Sequence, residues 1–189
     1  MMRQPLTGKT NTLLAIFLCA FVLLLNACSK PVATNSYADD RAQIDNLLAR
    51  YCFALDWQDA DVYASLFVED GVLDWASGYA KGRDAIKKEV QGMRENFAKQ
   101  EQEDAPLRPA QLRHFITNVV LEVNGDTARS RDFWVEFNNR NPDRKAISGA
   151  YGHAENELRK VNGQWFFVSR KIFNEEKPNR AAPPQNPAW

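Results

Sequence analysis

The chain has 189 residues, with 24 Lys and Arg against 24 Asp and Glu, two histidines, and 44% hydrophobic residues. That length suits one domain with a sizeable core. The even charge gives no electrostatic footing for nucleic acid, whose binding rests on neutralised phosphates, so no nucleic-acid partner is expected.

Taken in chain order, the first segment reads as a targeting signal. Arg3 and Lys9 form a positive start, and Leu13 to Leu25 is an unbroken apolar run of thirteen residues. A membrane-spanning helix needs roughly 20. The run ends in Leu25-Asn26-Ala27-Cys28, a small residue before a cysteine, as in a bacterial lipoprotein signal. Residues 1–27 are therefore expected to be removed and Cys28 to be lipidated. Cys28 would then hold the protein on the periplasmic face of the cell envelope, at the outer membrane. An uncleaved anchor or an ordinary signal peptide is the competing reading. Removal leaves 22 basic against 24 acidic side chains, and Cys52 becomes the last thiol of the domain. An intramolecular disulfide is then excluded. No cysteine or histidine pair has zinc-ligand spacing, and no metal is expected.

Residues 28–38 read as a polar tether, 39–174 as the domain, and 175–189 as a proline-rich tail, disordered or laid on the surface. Within the domain, Ile44, Leu47, Leu48, Tyr51, Cys52 and Leu55 fall on one helical face. Asp39 or Asp40 can cap that helix, and Asp59 can cap a short second one carrying Val62, Tyr63, Leu66 and Phe67. Short strands are expected at Val72–Trp75 and Tyr79–Lys81. A third helix follows Gly82, with Ile86, Val90, Met93 and Phe97 on one side, and residues 99–110 read as a polar loop. Four long strands follow: Leu112–Val123, Thr127–Phe137, Ala146–Lys160 and Gln164–Phe173. Asn124-Gly125-Asp126 and Asn162-Gly163 mark two hairpin turns. Helices followed by an antiparallel meander predict an α+β domain.

Three side chains stand out as an acid–base set: His114 on a strand, Asp56 at a helix end, and Tyr51 on the same helix. Tyr51 and Asp56 are about 140° apart on the helical wheel, so only a wide cavity-facing side includes both. Asp56 as a turn residue and Tyr51 as a core aromatic are the plainer readings. Alternation places His114, Ile116, Asn118 and Val120 on one face. A three-residue turn would set Ser130, Asp132, Trp134 and Glu136 beside them; a two-residue turn would set Arg131, Phe133, Val135 and Phe137 there. The first is preferred because it turns Arg129 and Arg131 away. Glu136 is then a second carboxylate near His114, or a solvated strand charge. Counting outward from Asn162-Gly163 puts Glu155 opposite Arg170. Arg170 then either orients a substrate carboxylate or holds Glu155, and the structural pair is preferred. The apolar run Trp165-Phe166-Phe167 faces both sides of its strand, which predicts a homodimer.

The order of these elements resembles the SnoaL-like group of the nuclear-transport-factor-two-like superfamily. The resemblance is carried by Arg50-Tyr51 to Leu55-Asp56, Leu66-Phe67 to Asp70-Gly71, and Gly82. It continues through Arg113-His114-Phe115 to Asn118, Asn124-Gly125-Asp126, Asn162-Gly163-Gln164-Trp165, and Arg170. It covers residues 39–174 and implies a cone: a curved antiparallel sheet, about four long strands plus short edge strands, wrapped around three N-terminal helices and enclosing a mainly apolar pocket. Within the group the chain is most similar to the scytalone dehydratase and bile-acid dehydratase branch, whose members eliminate water without a cofactor. That similarity implies Asp56 and His114 as catalytic groups, with Tyr51 matching the bile-acid type. Trp75 falls where the scytalone type has a pocket tyrosine, and Glu136 or Phe137 near its second catalytic histidine. Trp75, Asn118, Trp134, Glu136 and Arg170 are the expected binding residues around a small apolar ligand. The competing reading is a non-catalytic ligand-binding or assembly lipoprotein on the same fold.

Overall fold

The protein was analysed as a computed structural model that describes residues 36–103 and 111–189. The expectations on residues 1–35 (the signal, Cys28 and most of the tether) lie outside the described residues.

The first helix, α1 (Tyr37–Asp56), begins earlier than the sequence suggested. Ser36 is the cap, and it exchanges hydrogen bonds with Asp39: Asp39 N–H to Ser36 Oγ at 3.2 Å and Ser36 N–H to Asp39 Oδ2 at 3.1 Å. This reciprocal pairing satisfies two orphan donors at once. Asp40 is not a cap. It is buried, accepts from Trp165 Nε1 at 3.0 Å, and pairs with Lys160 Nζ at 2.7 Å. The helix is thereby fastened to the far hairpin. Ile44, Leu47, Leu48, Tyr51 and Cys52 form the expected stripe and are all buried.

Asp59 caps α2 (Ala60–Ser65), accepting from the Val62 N–H at 3.0 Å. Phe67, expected in this helix, starts β1 (Phe67–Trp75) instead. It pairs with Phe167 across the sheet and is fully buried there, which outweighs its helical spacing. β1 is interrupted near Gly71, where a Cβ would lie 2.9 Å from that of Phe67. β2 (Gly78–Lys81) returns antiparallel. Helix α3 (Arg83–Glu103) follows Gly82 at φ +85°. It runs through residues 99–103, expected as loop, because Ala98, Lys99, Gln100 and Glu101 are all good helix formers.

The long strands are β3 (Leu112–Asn124), β4 (Thr127–Asn138), β5 (Ile147–Val161) and β6 (Gln164–Ile172). The sheet is curved and unclosed, in the order β2-β1-β6-β5-β4-β3. It is antiparallel except at one seam: β1 runs parallel to β6. No hairpin joins those two strands, so nothing local forces them antiparallel. Helix α1 lies against β3 and β6.

Two register shifts govern what the sheet presents. At the first hairpin, Asn124 pairs with Thr127 across a two-residue loop, not the three-residue loop preferred from sequence. Gly125 takes φ +58° there, as the first position of such a loop requires. The pairing then slips between Thr117 and Val120. Beyond the slip Ile116 faces Trp134 and His114 faces Glu136, the alignment expected for a different reason. In the last hairpin, β6 carries one extra residue, Val168, between Phe167 and Ser169. Arg170 therefore pairs with Asn156 rather than Glu155, and Glu155 pairs with Lys171.

Candidate functional site

Asp56 is the last residue of α1. A carboxylate is disfavoured at the negative end of a helix. Two donors from β3 offset this: the His114 backbone N–H reaches Asp56 Oδ2 at 2.8 Å, and His114 Nδ1 lies 2.6 Å from Oδ1. A carboxylate can only accept, so the proton is on Nδ1 and Nε2 is left for other partners. The Asp56 side chain is 4% exposed and the imidazole 16%.

Nε2 points toward Glu136, whose Oε2 is 3.8 Å away. That is too long for a hydrogen bond but close enough for charge to be felt. Glu136 is itself held by Asn138, whose Nδ2 donates to Oε1 at 2.8 Å. Gly149 makes room for this pair, since a Cβ there would lie 2.8 Å from Oε1.

His114 and Glu136 line a cavity of about 620 Å³, together with Tyr51, Trp75, Trp134 and Arg170. Leu73, Met93, Phe97 and Ile116 add apolar wall. Of the expected binding residues, Asn118 is the exception. It sits in the β3 slip at φ +54°, is exposed, and does not line the cavity. The slip breaks the alternation that had placed it beside His114. A second groove of about 560 Å³ lies on the other side of His114, reaching Asp56 and sharing Cys52, His114 and Ile116 with the cavity.

Tyr51 is buried, and its hydroxyl accepts from Tyr63 Oη at 2.9 Å. Its own proton is therefore available to a ligand. Burial pushes this phenol up, against the pull of Arg170 and of the Tyr63 hydrogen bond, and it stays a neutral donor. The Arg170 guanidinium lies 4.4 Å from the Tyr51 ring centre.

Arg170 is 1% exposed. Nη1 donates to Asn156 Oδ1 at 2.7 Å and to Asp132 Oδ2 at 3.2 Å, and Nη2 donates to Asp132 Oδ1 at 3.2 Å. Burial alone would lower its pKa; the Asp132 carboxylate outweighs that and holds it above the ordinary range. Nε has no partner. Asn156 also donates to Ser130 Oγ at 2.9 Å and to Asp132 Oδ2 at 2.6 Å. The expected partner Glu155 instead pairs with Arg131 at 3.1 Å. Cys52, on the cavity wall, is pushed up to about 12 by burial, against the lowering effect of Arg170.

Sequence reasoning missed Asp132 and Asn156 as the partners of Arg170, and Tyr63 as the donor to Tyr51. Asp132 had a signal, since it alternates with Trp134 and Glu136. Asn156 had none, because an extra residue in β6 moved it into place.

A family model described as SnoaL-like domain matches residues 36–171. A solved NTF2-like protein with a cystatin-like fold from Novosphingobium aromaticivorans is 27% identical, covering 88% of this chain and 90% of that one, with TM-score 0.57. A candidate scytalone dehydratase from the same organism is 26% identical over 71% of this chain and 83% of its own, also with TM-score 0.57. ActVI-ORFA from Streptomyces coelicolor shares the fold at 17% identity, covering 72% and 98%, with TM-score 0.59. No curated protein matches.

Proposed function

This chain belongs to the SnoaL-like domain family, and we propose that its cavity is the active site of a cofactor-independent dehydratase or isomerase acting on an apolar, oxygenated ring compound. Family and fold support a small-ligand-binding or catalytic role. The observation that carries the finer reading is the 2.6 Å contact of Asp56 with Nδ1 of His114, a residue of the cavity wall. It fixes the tautomer that leaves Nε2 as a base.

In this reading Nε2 takes a proton from the carbon next to a ring carbonyl. The C–H electron pair moves into the enolate, whose oxygen receives the Tyr51 hydroxyl proton as a hydrogen bond. A preorganised donor of this kind favours the charged intermediate over the ketone. The imidazolium so formed lies between the carboxylates of Asp56 and Glu136. It then protonates a departing hydroxyl, releasing water and leaving a new C=C bond. Returned to a different carbon, the same proton gives an isomer.

The test needs no knowledge of the natural substrate. Ring ketones that raise the melting temperature are incubated with the protein in D₂O, and deuterium uptake is followed by mass spectrometry. Uptake that disappears in His114→Ala supports the reading. Binding without uptake in any compound would make the protein a ligand carrier.

Two further expectations continue as proposals. Lipidation of Cys28 tethers the domain to the envelope, and loss of radiolabelled palmitate from Cys28→Ser would be its mark. A homodimer is also proposed, on a different face from the one the sequence suggested. Trp165 and Phe167 are buried, and the Phe166 ring lies 5.9 Å from the Arg83 guanidinium. Four exposed aromatics, Phe115, Phe133, Phe137 and Tyr151, lie together on neighbouring strands β3, β4 and β5. Light scattering that finds only monomer would remove this proposal.

A further inference from the structure

The tail beyond β6 is laid against the domain by specific bonds, and these bonds bridge the strands on either side of β6. Glu175 N–H donates to Tyr151 O on β5 at 2.9 Å. Arg180 forms an ion pair with Asp74 on β1, next to the cavity residue Trp75. Between these anchors the segment closes on itself: Asn174 N–H to Arg180 O and Arg180 N–H to Lys177 O, both at 2.8 Å. Asn174 and Lys177 line the cavity. The segment also touches the catalytic wall, because Phe173 O accepts from Trp134 Nε1 at 3.0 Å, and the Trp134 ring is 6.2 Å from that of His114.

The contacts of this segment differ in kind along its length. At its root, Phe173 stacks on the buried His153 ring, with centroids 4.3 Å apart and planes 7° from parallel. Gly152 packs so closely beneath that a Cβ would lie 2.2 Å from Phe173 O. Between Asn174 and Arg180 the side-chain anchor is polar. The Asp74 and Arg180 side chains are 23% and 22% exposed, and Lys177 is exposed. A segment with a packed root and a polar, half-solvated far end opens locally before the domain unfolds.

We propose that residues 176–180 are a movable wall of the cavity, hinged where Glu175 is bonded to Tyr151 and latched by Arg180 on Asp74, and that ligand enters where the latch opens. The proposal rests on the cavity being the ligand site, but not on any reaction there. Opening at Asp74 would leave Trp134 tied to Phe173. Access and the His114 wall are therefore separable.

Cys52 supplies the probe, since it is buried and lines the cavity. The full chain carrying Cys19→Ser and Cys28→Ser has Cys52 as its one thiol. Its modification by the neutral reagent dithiodipyridine is timed at fixed pH, with the urea midpoint measured alongside. Arg180→Gln and Asp74→Asn should each speed labelling about fivefold, the upper range for a partly exposed ion pair. Asp74→Arg combined with Arg180→Asp should return it to the parent rate. Arg129→Gln, which breaks an exposed ion pair outside the cavity lining, should leave the rate unchanged. Equal rates in the latch variants and the parent would overturn the proposal. So would acceleration that the charge swap fails to reverse, because labelling would then follow general destabilisation or entry through the groove beside Asp56.

Discussion

The cavity wall carries two basic side chains, each held by a carboxylate, and they differ in what the free nitrogen can do. At one, Asp132 and Asn156 occupy both terminal nitrogens of Arg170, and all three side chains are buried. At the other, Asp56 occupies one nitrogen of His114, and the second faces Glu136 and the cavity at a distance no hydrogen bond closes. The first arrangement holds a charge still, and the second can pass a proton. What separates them is the state of the free nitrogen: Arg170 Nε lacks a partner but already carries its proton, whereas His114 Nε2 can take one up.

The sharpest break in that comparison is His114→Ala. It should lower turnover, or deuterium uptake, by about 10²–10⁴-fold. It should also cost about 1–3 kcal/mol of stability, because Asp56 Oδ1 loses its donor. Asp132→Ala should reverse the balance. Leaving Arg170 buried and unpaired should cost about 3–5 kcal/mol in urea unfolding, while Asp132→Leu with Arg170→Met costs much less. Glu136→Gln should slow turnover by only about tenfold, since 3.8 Å leaves an electrostatic influence without a bond. If Glu136→Gln matched His114→Ala, the two residues would be one catalytic unit.

The smallest effect at neutral pH appears on the alkaline side. Burial raises Cys52 from 9.0 to about 12 and also raises Tyr51 and Tyr63. The folded chain then holds protons that the unfolded chain releases, so stability is full below about 9 and falls as pH rises toward 12. Cys52→Ala should flatten the first part of that fall, measured as urea midpoints across pH 8 to 11. An unchanged slope would mean that the thiol is not shielded.

Much of this was legible in the chain. The 3.6-residue stripe of α1 and the alternation of β3 to β6 come directly from side-chain spacing. The meeting of His114 with Asp56 was legible because histidine is scarce and each residue lies on a readable element. What stayed hidden came from single extra residues. The slip at Asn118 and the insertion of Val168 have no compositional mark, yet they decide that Asn118 leaves the cavity and that Arg170 meets Asn156. The parallel seam of β1 with β6 was hidden too, since it joins segments about 100 residues apart through tertiary packing. A correct alignment of Glu136 with His114 was reached through the wrong turn, because two register effects compensated.

The central claim is that Asp56 reserves Nε2 of His114 for the cavity. Nitrogen-15 NMR of the histidine side chains, with His153→Gln used to assign His114, tests it directly. In the neutral imidazole the account predicts the proton on Nδ1 and an unprotonated Nε2, with the pattern lost in Asp56→Ala. A proton found on Nε2, or a tautomer indifferent to Asp56, would contradict it.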